Sequence, residues 1–570
     1  MPSGKKLVIL VVILSLVGAA CAALYNRYFP TSRIGQQTAR RAGDLARPDA
    51  LIRSSSLAKL PRDLLRLPLA KDILTEDIVD YYEHHDGRLA LNGALRRIAF
   101  ENKLQLPDRL IEMALDTPAE IALWSDGRGR LRHFAVTMTR NTLARVITLL
   151  LPLHSQVATA RPWPEIHAEA LVISSGQEKL MLLARGDRVV ILSDGLLDGE
   201  RRQGITAIVN KLLAMDASQP SVFAQAFDLS GAPPEKGHEI VIAARALAFG
   251  YEHFTPGLGA LRLVFDDTGT WQSAVLLDGQ AATTAYAPLW RALPHGAAFC
   301  AALPVDWPAL GATAQEWREQ DNDESAARAD IGDLLAKFGQ AAVCWYGGGR
   351  LYTPLFATVS NQTFTDTERD ELMRLSLAAT KVKKPDKTFN EPAGAMWLGS
   401  LSSPYGFRNQ EGKHFFHPAA AVFRLTTGNG AASDVAFFSP EAALLTKGLG
   451  VALKKFPALA DGAAFPANDQ VIAWVDPTIL AVILRNEIVN AAPAYDQENF
   501  LATADFLFMP RLQALARYAP QAVSFRTGKD ASGHTAAGWQ WYPLTWNSAG
   551  KAKASTTTNA SNTQDEAIEP

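Results

Sequence analysis

The sequence lacks an excess of charge of either sign. Among its 570 residues, Lys and Arg number 56 and Asp and Glu number 58, which gives a formal net charge of −2. Proteins that bind nucleic acid usually carry a basic surface, so the composition gives no indication of such a partner. Hydrophobic residues make up 48% of the chain, which is enough to build large globular cores.

Cysteine is scarce, with three residues in the whole chain. This excludes a disulfide-dense scaffold and a four-cysteine zinc site. Cys21 lies in an apolar run, which leaves Cys300 and Cys344 for the rest of the protein. In an oxidising compartment these two allow one disulfide. We expect instead two free, buried thiols, because an unpaired Cys behaves as a small apolar side chain.

The short motifs of common enzyme classes are absent as well. The sequence has no G-x-x-x-x-G-K-[ST] phosphate loop, no G-x-S-x-G nucleophile elbow and no H-E-x-x-H zinc motif. Residues 257–262 (GLGALR) begin like a dinucleotide-binding turn but have Arg262 in place of the third glycine. We therefore assign no catalytic, cofactor-binding or metal-binding residue and expect no cofactor.

One long hydrophobic run is present, at residues 7–24 (LVILVVILSLVGAACAAL). It carries no charge and is just long enough to span a bilayer. Two lysines before it, Lys5 and Lys6, favour a cytoplasmic N-terminus and export of the remainder to the periplasm. The sequence therefore predicts a cytoplasmic N-terminus at 1–6, a transmembrane signal anchor in the inner membrane at 7–25 and a linker at 26–45.

Two other fates of this segment remain open. A signal peptidase could cleave it near Ala20–Ala23, where small residues cluster. Alternatively, the sequence VGAAC could act as a lipobox and make Cys21 the lipidated N-terminus of a lipoprotein. Gly18 stands where a lipobox normally has a branched aliphatic residue, which speaks against lipidation.

A phrase typical of a β-hairpin occurs twice. Residues 119–131 (AEIALWSDGRGRL) and 340–351 (QAAVCWYGGGRL) each contain an apolar run ending in Trp, a glycine-bearing turn and Arg-Leu. Such runs around Gly and Asp turns are typical of antiparallel hairpins. The tryptophans, Trp124 and Trp345, are expected to occupy equivalent positions in two similar cores.

Other segments repeat in the same order. Residues 188–216 and 434–461 each read as a strand followed by a helix, and residues 381–413 look like an insertion in the second copy. Trp539 and Trp541 alternate near the C-terminus and are expected in the core. The prediction is an internally duplicated α+β fold of hairpin-rich antiparallel sheets packed with helices. Its parts are a first repeat at 46–285, a second repeat at 286–546 and a disordered tail at 547–570.

Three short clusters contain residue types found in catalytic or binding sites. Ser56 and Lys59 match S-x-x-K, but the partner motifs of Ser–Lys enzymes are missing, so we expect Ser56 to cap a helix or to lie at the end of a strand. Residues 83–86 (EHHD) are the densest group of metal-ligand types, yet adjacent histidines point apart and a glycine follows. Residues 347–350 (GGGR) could bind an anion, but their place between two strands favours a turn.

The stretch from residue 44 (DLARPDALI) to residue 131 (PAEIALWSDGRGRL) resembles an uncharacterised family of Gram-negative bacteria, domain of unknown function 2138. The resemblance implies an exported, membrane-associated envelope protein and supplies no catalytic residues. It also implies an association with macroglobulin-like envelope proteins.

Three functions are compatible with these observations. The first is a non-catalytic binding or scaffold protein of the cell envelope. The second is an envelope hydrolase or carbohydrate-modifying enzyme with dispersed catalytic residues, which a Ser/His pair or converging carboxylates in a pocket would favour. The third is a carrier of lipids or small molecules, which requires a closed apolar cavity.

Overall fold

The computed structural model describes residues 45–548. Within that range it leaves out the segments 71–114, 126–130, 141–157, 248–254, 320–327, 427–431, 491–496 and 528–537, and shorter gaps of one to four residues. The predicted membrane segment, Cys21 and the EHHD cluster lie outside the described residues, as does nearly all of the predicted tail.

The strands of the first half are β1 (Ala50–Ser54), β2 (Ala119–Ser125), β3 (Leu131–Thr139), β4 (Ala158–Ala160), β5 (Glu169–Ser175), β6 (Glu178–Arg185), β7 (Arg188–Ser193), β8 (His238–Ala243), β9 (Leu258–Phe265) and β10 (Trp271–Leu277). Those of the second half are β11 (Ala297–Leu303), β12 (Phe338–Tyr346), β13 (Leu355–Ser360), β14 (Lys387–Glu391), β15 (Gly394–Leu398), β16 (Leu401–Arg408), β17 (His414–Phe416), β18 (Ala419–Thr426), β19 (Ala432–Ser439), β20 (Gln470–Val475), β21 (Gln521–Phe525) and β22 (Gln540–Ser548).

The described helices are α1 (Leu60–Arg66), α2 (Arg201–Ala214), α3 (Val222–Gln225), α4 (Ala244–Leu247), α5 (Gly279–Thr283), α6 (Ala287–Ala292), α7 (Gly311–Glu319), α8 (Ile331–Ala336), α9 (Asp366–Thr380), α10 (Ala442–Ala452), α11 (Leu459–Gly462), α12 (Pro477–Asn490), α13 (Gln497–Leu507) and α14 (Met509–Leu515). A 3₁₀ turn lies at Trp307–Leu310. The predicted α+β class is confirmed.

Twenty of the described strands form one hydrogen-bonded series, and each pairing among them is antiparallel. Across the first half the order is β4-β5-β6-β7-β3-β2-β1-β8-β9-β10. It continues through β22-β21-β20-β11-β12-β13-β19-β18-β15-β14.

The two halves have the same strand order when each is followed outward from the junction of β10 with β22. In both halves the last three strands come first, then the first three, and then the remaining strands in reverse chain order. β16 and β17 form a separate hairpin in the second half. The predicted insertion at 381–413 was therefore too broad, because β14 and β15 lie within it and occupy the positions that β4 and β5 hold in the first half.

Two hydrophobic layers hold helices against the sheet. In the first half, α2 and α3 cover the strands through Ile205, Val209 and Phe223. In the second half, α6 and α10 cover the corresponding strands through residues such as Trp290 and Leu444. These layers bury the apolar faces of α2 and α10.

The two repeated tryptophans do not occupy equivalent positions, so this expectation was wrong. Trp124 packs in the layer that holds α2. Trp345 stacks on Phe299 at 5.6 Å in a different cluster, whereas its neighbour Cys344 faces the layer that holds α10. Successive strand residues point to opposite faces, so an offset of one residue between the two phrases places their tryptophans on opposite sides.

The expectation of free thiols is also wrong, because Cys300 and Cys344 form a disulfide. They are directly opposite each other on β11 and β12, with Cα atoms 4.1 Å apart, and both are fully buried. Their 44-residue separation in the chain gave no indication of this register. Cross-strand pairing brought the two thiols together.

We predict that denatured but unreduced protein in a Cys21→Ser background has no titratable thiol, and that reduction exposes two. A Cys300→Ala/Cys344→Ala variant lacks the cross-link. Its free energy of unfolding should be lower by about 2–4 kcal/mol, because its unfolded chain is less constrained than the cross-linked one. Urea unfolding of the oxidised protein and the double variant measures this. Two titratable thiols in the unreduced protein would contradict the disulfide.

Candidate functional site: a buried polar cluster across strands β1, β2 and β8

A serine, a histidine and an aspartate form a chain of hydrogen bonds where β1 ends. Ser54 Oγ is 2.8 Å from His238 Nδ1, and His238 Nε2 is 3.2 Å from Asp63 Oδ2. Ser54 and His238 are directly paired on β1 and β8, and Asp63 reaches them from α1. The residue types are those of a Ser-His-Asp triad, although here Nδ1 and not Nε2 faces the serine.

The hydrogen bonds define one consistent set of protons. If the Asp63 carboxylate accepts the Nε2 proton, Nδ1 is free to accept the hydroxyl proton of Ser54. Ser54 Oγ in turn accepts the backbone N–H of Ser56 at 3.1 Å. Burial lowers the pKa of His238, and the hydrogen bond that His238 donates to Asp63 opposes that shift. A neutral imidazole is therefore favoured at neutral pH.

Local chain geometry fixes this arrangement. Gly237, just before His238, has a φ of +82°, and a Cβ there would lie 2.3 Å from the carbonyl oxygen of Phe265. Its own carbonyl accepts the N–H of Ser55, which ties the start of β8 to the end of β1. Glycine is thus required at this point by both conformation and space.

A row of charged residues lies next to this chain. Arg53 is paired directly with Glu120 on β2 and with Glu239 on β8. Its Nε is 3.2 Å from Glu120, its Nη1 is 2.7 Å from Glu239, and its Nη2 donates to the carbonyl of Gly231 at 2.7 Å. All three side chains are buried, so each charge depends on the others for compensation.

The electrostatics of the row reflect its burial. Burial raises the pKa of Glu120, while the Ser221 hydroxyl and the Arg53 guanidinium oppose this shift. Glu239 also pairs with Arg262 from β9. Because strand residues alternate, this row and the Ser54–His238 pair project to opposite faces of the sheet.

The cluster is closed to solvent as the structure stands. Ser54 is 0% exposed, His238 is 1% and Asp63 is 2%. A substrate cannot reach the Ser54 hydroxyl in this conformation. The hydrogen bonds of Asp63 and His238 fix α1 to the sheet. Ser54 could act as a nucleophile only after the segments that cover it had moved.

Ser56 lies in the turn between β1 and α1, ahead of Lys59, which is the N-cap residue of the helix. Its Oγ accepts the N–H of Lys59 at 3.3 Å, directly before α1. Lys59 Nζ is 3.2 Å from Asp116. The lysine therefore forms an ion pair at the surface.

The GGGR segment forms a turn between β12 and β13, as expected. Gly349 N–H donates to the carbonyl of Tyr346 at 3.1 Å, and Gly348 has a φ of +84°. In the described part of the chain, no group of three or more His, Cys, Asp or Glu residues is placed to hold a metal ion.

The polar cluster was not found by sequence reasoning. Its members are adjacent polar residues at the ends of short apolar strands, His238-Glu239 at the start of HEIVIA and Arg53-Ser54 at the end of ALIRS. Polar residues at strand ends are usually exposed, so neither pair stood out. The available signal was an ionisable residue at a position where the alternation requires a buried side chain.

Comparison with known proteins gives the family. The family described as "Uncharacterized protein conserved in bacteria (DUF2138)" matches residues 5–546. This chain belongs to that family. It is 30% identical over 539 residues to "Uncharacterized protein YfaA" of Escherichia coli (strain K12), an alignment that covers 88% of this chain and 90% of that protein. The resemblance inferred from the sequence is confirmed.

No solved structure matches this chain. Among the helices that the structure describes, none combines the length and the apolar character needed to cross a membrane. Residues 7–24 are not among them.

We predict that His238 makes the protein less stable in acid. A pKa lowered by folding means that the folded protein binds fewer protons than the unfolded one, whose His titrates near about pH 6.5. This contribution is complete above that pH and is lost as the pH falls from there through the lower pKa of the folded protein. In chemical unfolding between about pH 7.5 and pH 5.5, a His238→Gln variant should lose less free energy of unfolding than the wild type.

The matched control is His417→Gln, which changes an exposed histidine and should retain the wild-type pH dependence. Equal pH dependence of stability in the wild type and in His238→Gln would show that folding does not lower the pKa of His238.

Proposed function

We propose that this protein is an inner-membrane envelope protein, anchored by residues 7–25, whose periplasmic body binds another envelope component. The observation that carries the location is the Cys300–Cys344 disulfide. Disulfides persist in oxidising compartments and are rare in the bacterial cytoplasm. The apolar run at 7–24, preceded by Lys5 and Lys6, supports the same direction of export.

Two features of the body favour binding over catalysis: its catalytic-type cluster is buried, and large apolar side chains are exposed on its surface. The best-formed catalytic-type cluster, Ser54–His238–Asp63, is closed to solvent. Large apolar side chains are instead exposed in the second half, with Phe506 76% exposed. Exposed apolar side chains of this size are typical of contact surfaces. A macroglobulin-like envelope protein is the partner that we propose to test first.

We further propose that residues 46–285 and 286–546 are two copies of one ancestral unit. The common strand order of the two halves supports this, because unrelated α+β units rarely share the order of ten strands.

Reporter fusions test the location. Alkaline phosphatase fused after residue 60 should be active, because that enzyme needs periplasmic disulfides, and a cytoplasmic reporter fused at the same point should be silent. Membrane fractionation should place the protein in the inner membrane. The opposite reporter pattern would exclude export.

A replacement of Cys21 distinguishes the signal anchor from the lipoprotein alternative. A Cys21→Ser variant should be processed and located as the wild type if residues 7–25 are a signal anchor. A lipoprotein would instead lose its mature form, which is visible as a change in electrophoretic mobility.

A second candidate function is an envelope hydrolase that uses Ser54 as nucleophile. The specific observation in its favour is the 2.8 Å contact between Ser54 Oγ and His238 Nδ1, with Asp63 on the other ring nitrogen. In such an enzyme His238 would accept the hydroxyl proton as Ser54 attacks an ester or amide carbonyl. Catalysis would require a movement that exposes Ser54.

A fluorophosphonate probe tests this candidate on the detergent-solubilised full chain. A hydrolase should be labelled, and Ser54→Ala should abolish the label. Ser56→Ala is the matched control, because Ser56 is equally buried and two residues away. Absence of label in the wild type, or label that persists in Ser54→Ala, would reject Ser54 as a nucleophile.

A further inference from the structure

The second half has a helical insertion that the first half lacks. Helices α12, α13 and α14 lie between β20 and β21, in residues 476–520. At the corresponding place in the first half, β8 and β9 are separated only by residues 244–257. The insertion is therefore an addition to the common architecture and not a requirement of the sheet.

One side of the insertion packs on the sheet. Leu480 and Ile483 of α12 and Leu515 of α14 are buried in a cluster with Phe299 of β11 and the partly buried Trp345 of β12. α14 lies along α12, and α13 packs on α14. The three helices thus form a fixed element of the body.

The insertion also exposes large apolar side chains. Val482 and Val489, seven residues apart on α12 and hence on one helix face, are 48% and 41% exposed. Phe506 is 76% exposed and Phe508 is 42% exposed where α13 meets α14.

This corner is held by the backbone. Phe508 N–H donates to the carbonyl of Ala504 at 2.8 Å, and the carbonyl of Phe508 accepts the N–H of Leu512 at 3.0 Å. The corner therefore presents its two phenylalanines from a hydrogen-bonded junction.

The charged residues of the three helices indicate whether the insertion favours electrostatic or apolar contact with a membrane. The three helices contain two basic residues, Arg485 and Arg511, and three acidic ones, Glu487, Glu498 and Asp505. Attraction to anionic headgroups requires an excess of basic residues, which is absent. Attachment through this surface would depend on its apolar side chains.

The length of chain between the predicted membrane span and the body limits the distance of the body from the bilayer. The predicted span ends at Leu24 and the body begins at Leu45. A random coil of this length has a root-mean-square span of roughly 25 Å, and a fully extended chain of this length spans at most about 70 Å. An anchored body is therefore confined close to the bilayer.

We propose that the α13–α14 corner, with Phe506 and Phe508, inserts into the interfacial region of the bilayer to which residues 7–25 anchor the chain. This inference rests on the proposed membrane anchor. The anchor and the corner would hold the body at two points and restrict its orientation on the membrane. Aromatic side chains at such a corner are suited to the boundary between headgroups and acyl chains.

The test uses the full chain with Cys21→Ser, reconstituted in phosphatidylcholine vesicles. Phe506→Cys carries an environment-sensitive nitrobenzoxadiazole label, and Phe456→Cys, a similarly exposed phenylalanine after α10, carries the same label as the control. The disulfide Cys300–Cys344 is buried and leaves each variant with one reactive thiol. Spin-labelled lipids should quench the label at 506 several-fold more than at 456, and its emission should shift to the blue.

Each outcome decides one of the two proposals. If the chain does not remain with vesicles after an alkaline wash, the membrane anchor is wrong. If it remains but the 506 label is quenched no more than the 456 label, the anchor stands and insertion of the corner is rejected. A blue shift at 506 without quenching by lipid identifies a protein contact, such as a second copy, and also overturns the proposal. Quenching of the 506 label should be the same in vesicles that contain anionic lipid as in phosphatidylcholine vesicles, because the contact is apolar.

Discussion

The architecture depends on one strand, β22, which pairs with both halves of the sheet. Its residues Gln540–Pro543 pair with β10, and Leu544–Ser548 pair with β21. Two of its tryptophans also bond to the first half, since Trp541 Nε1 donates to the carbonyl of Phe227 and Trp546 Nε1 donates to Ser273 Oγ. The last of the described strands thus joins the first half of the sheet to the second. Two ten-stranded units become one because a single strand supplies hydrogen bonds to each.

The two halves share a plan and differ in chemistry. β1, β2 and β8 contain the buried Arg53, Glu120, His238 and Glu239. Their counterparts in strand order, β11, β12 and β20, contain no charged residue and have the disulfide in the equivalent region. A buried ion row and a covalent cross-link both restrain neighbouring strands, by different means. The additional elements of the second half, β16–β17 and α12–α14, occupy its surface, which is where a difference in function between the halves would lie.

The local structure followed from the sequence wherever periodicity and turn chemistry agreed. The hairpin β2–β3, the strand β7 and the helix α2 were all predicted, because each depends on neighbours in the chain. Trp539 and Trp541 were predicted together in the core, yet Trp539 is 40% exposed. It lies just before β22, outside the alternation that buries alternate strand residues. The membrane segment and the limits of the two repeats remain predictions.

What the sequence determined by itself was the class of fold, the family and the repeated order of hairpins and helices, since these depend on short-range patterns. What only the tertiary structure decided was which distant residues meet: Cys300 with Cys344, Ser54 with His238, and Arg53 with both Glu120 and Glu239. Each of these contacts is set by strand register, and a shift of one residue would turn every side chain to the opposite face. Register is fixed by the packing of whole layers, and no single strand sequence contains it.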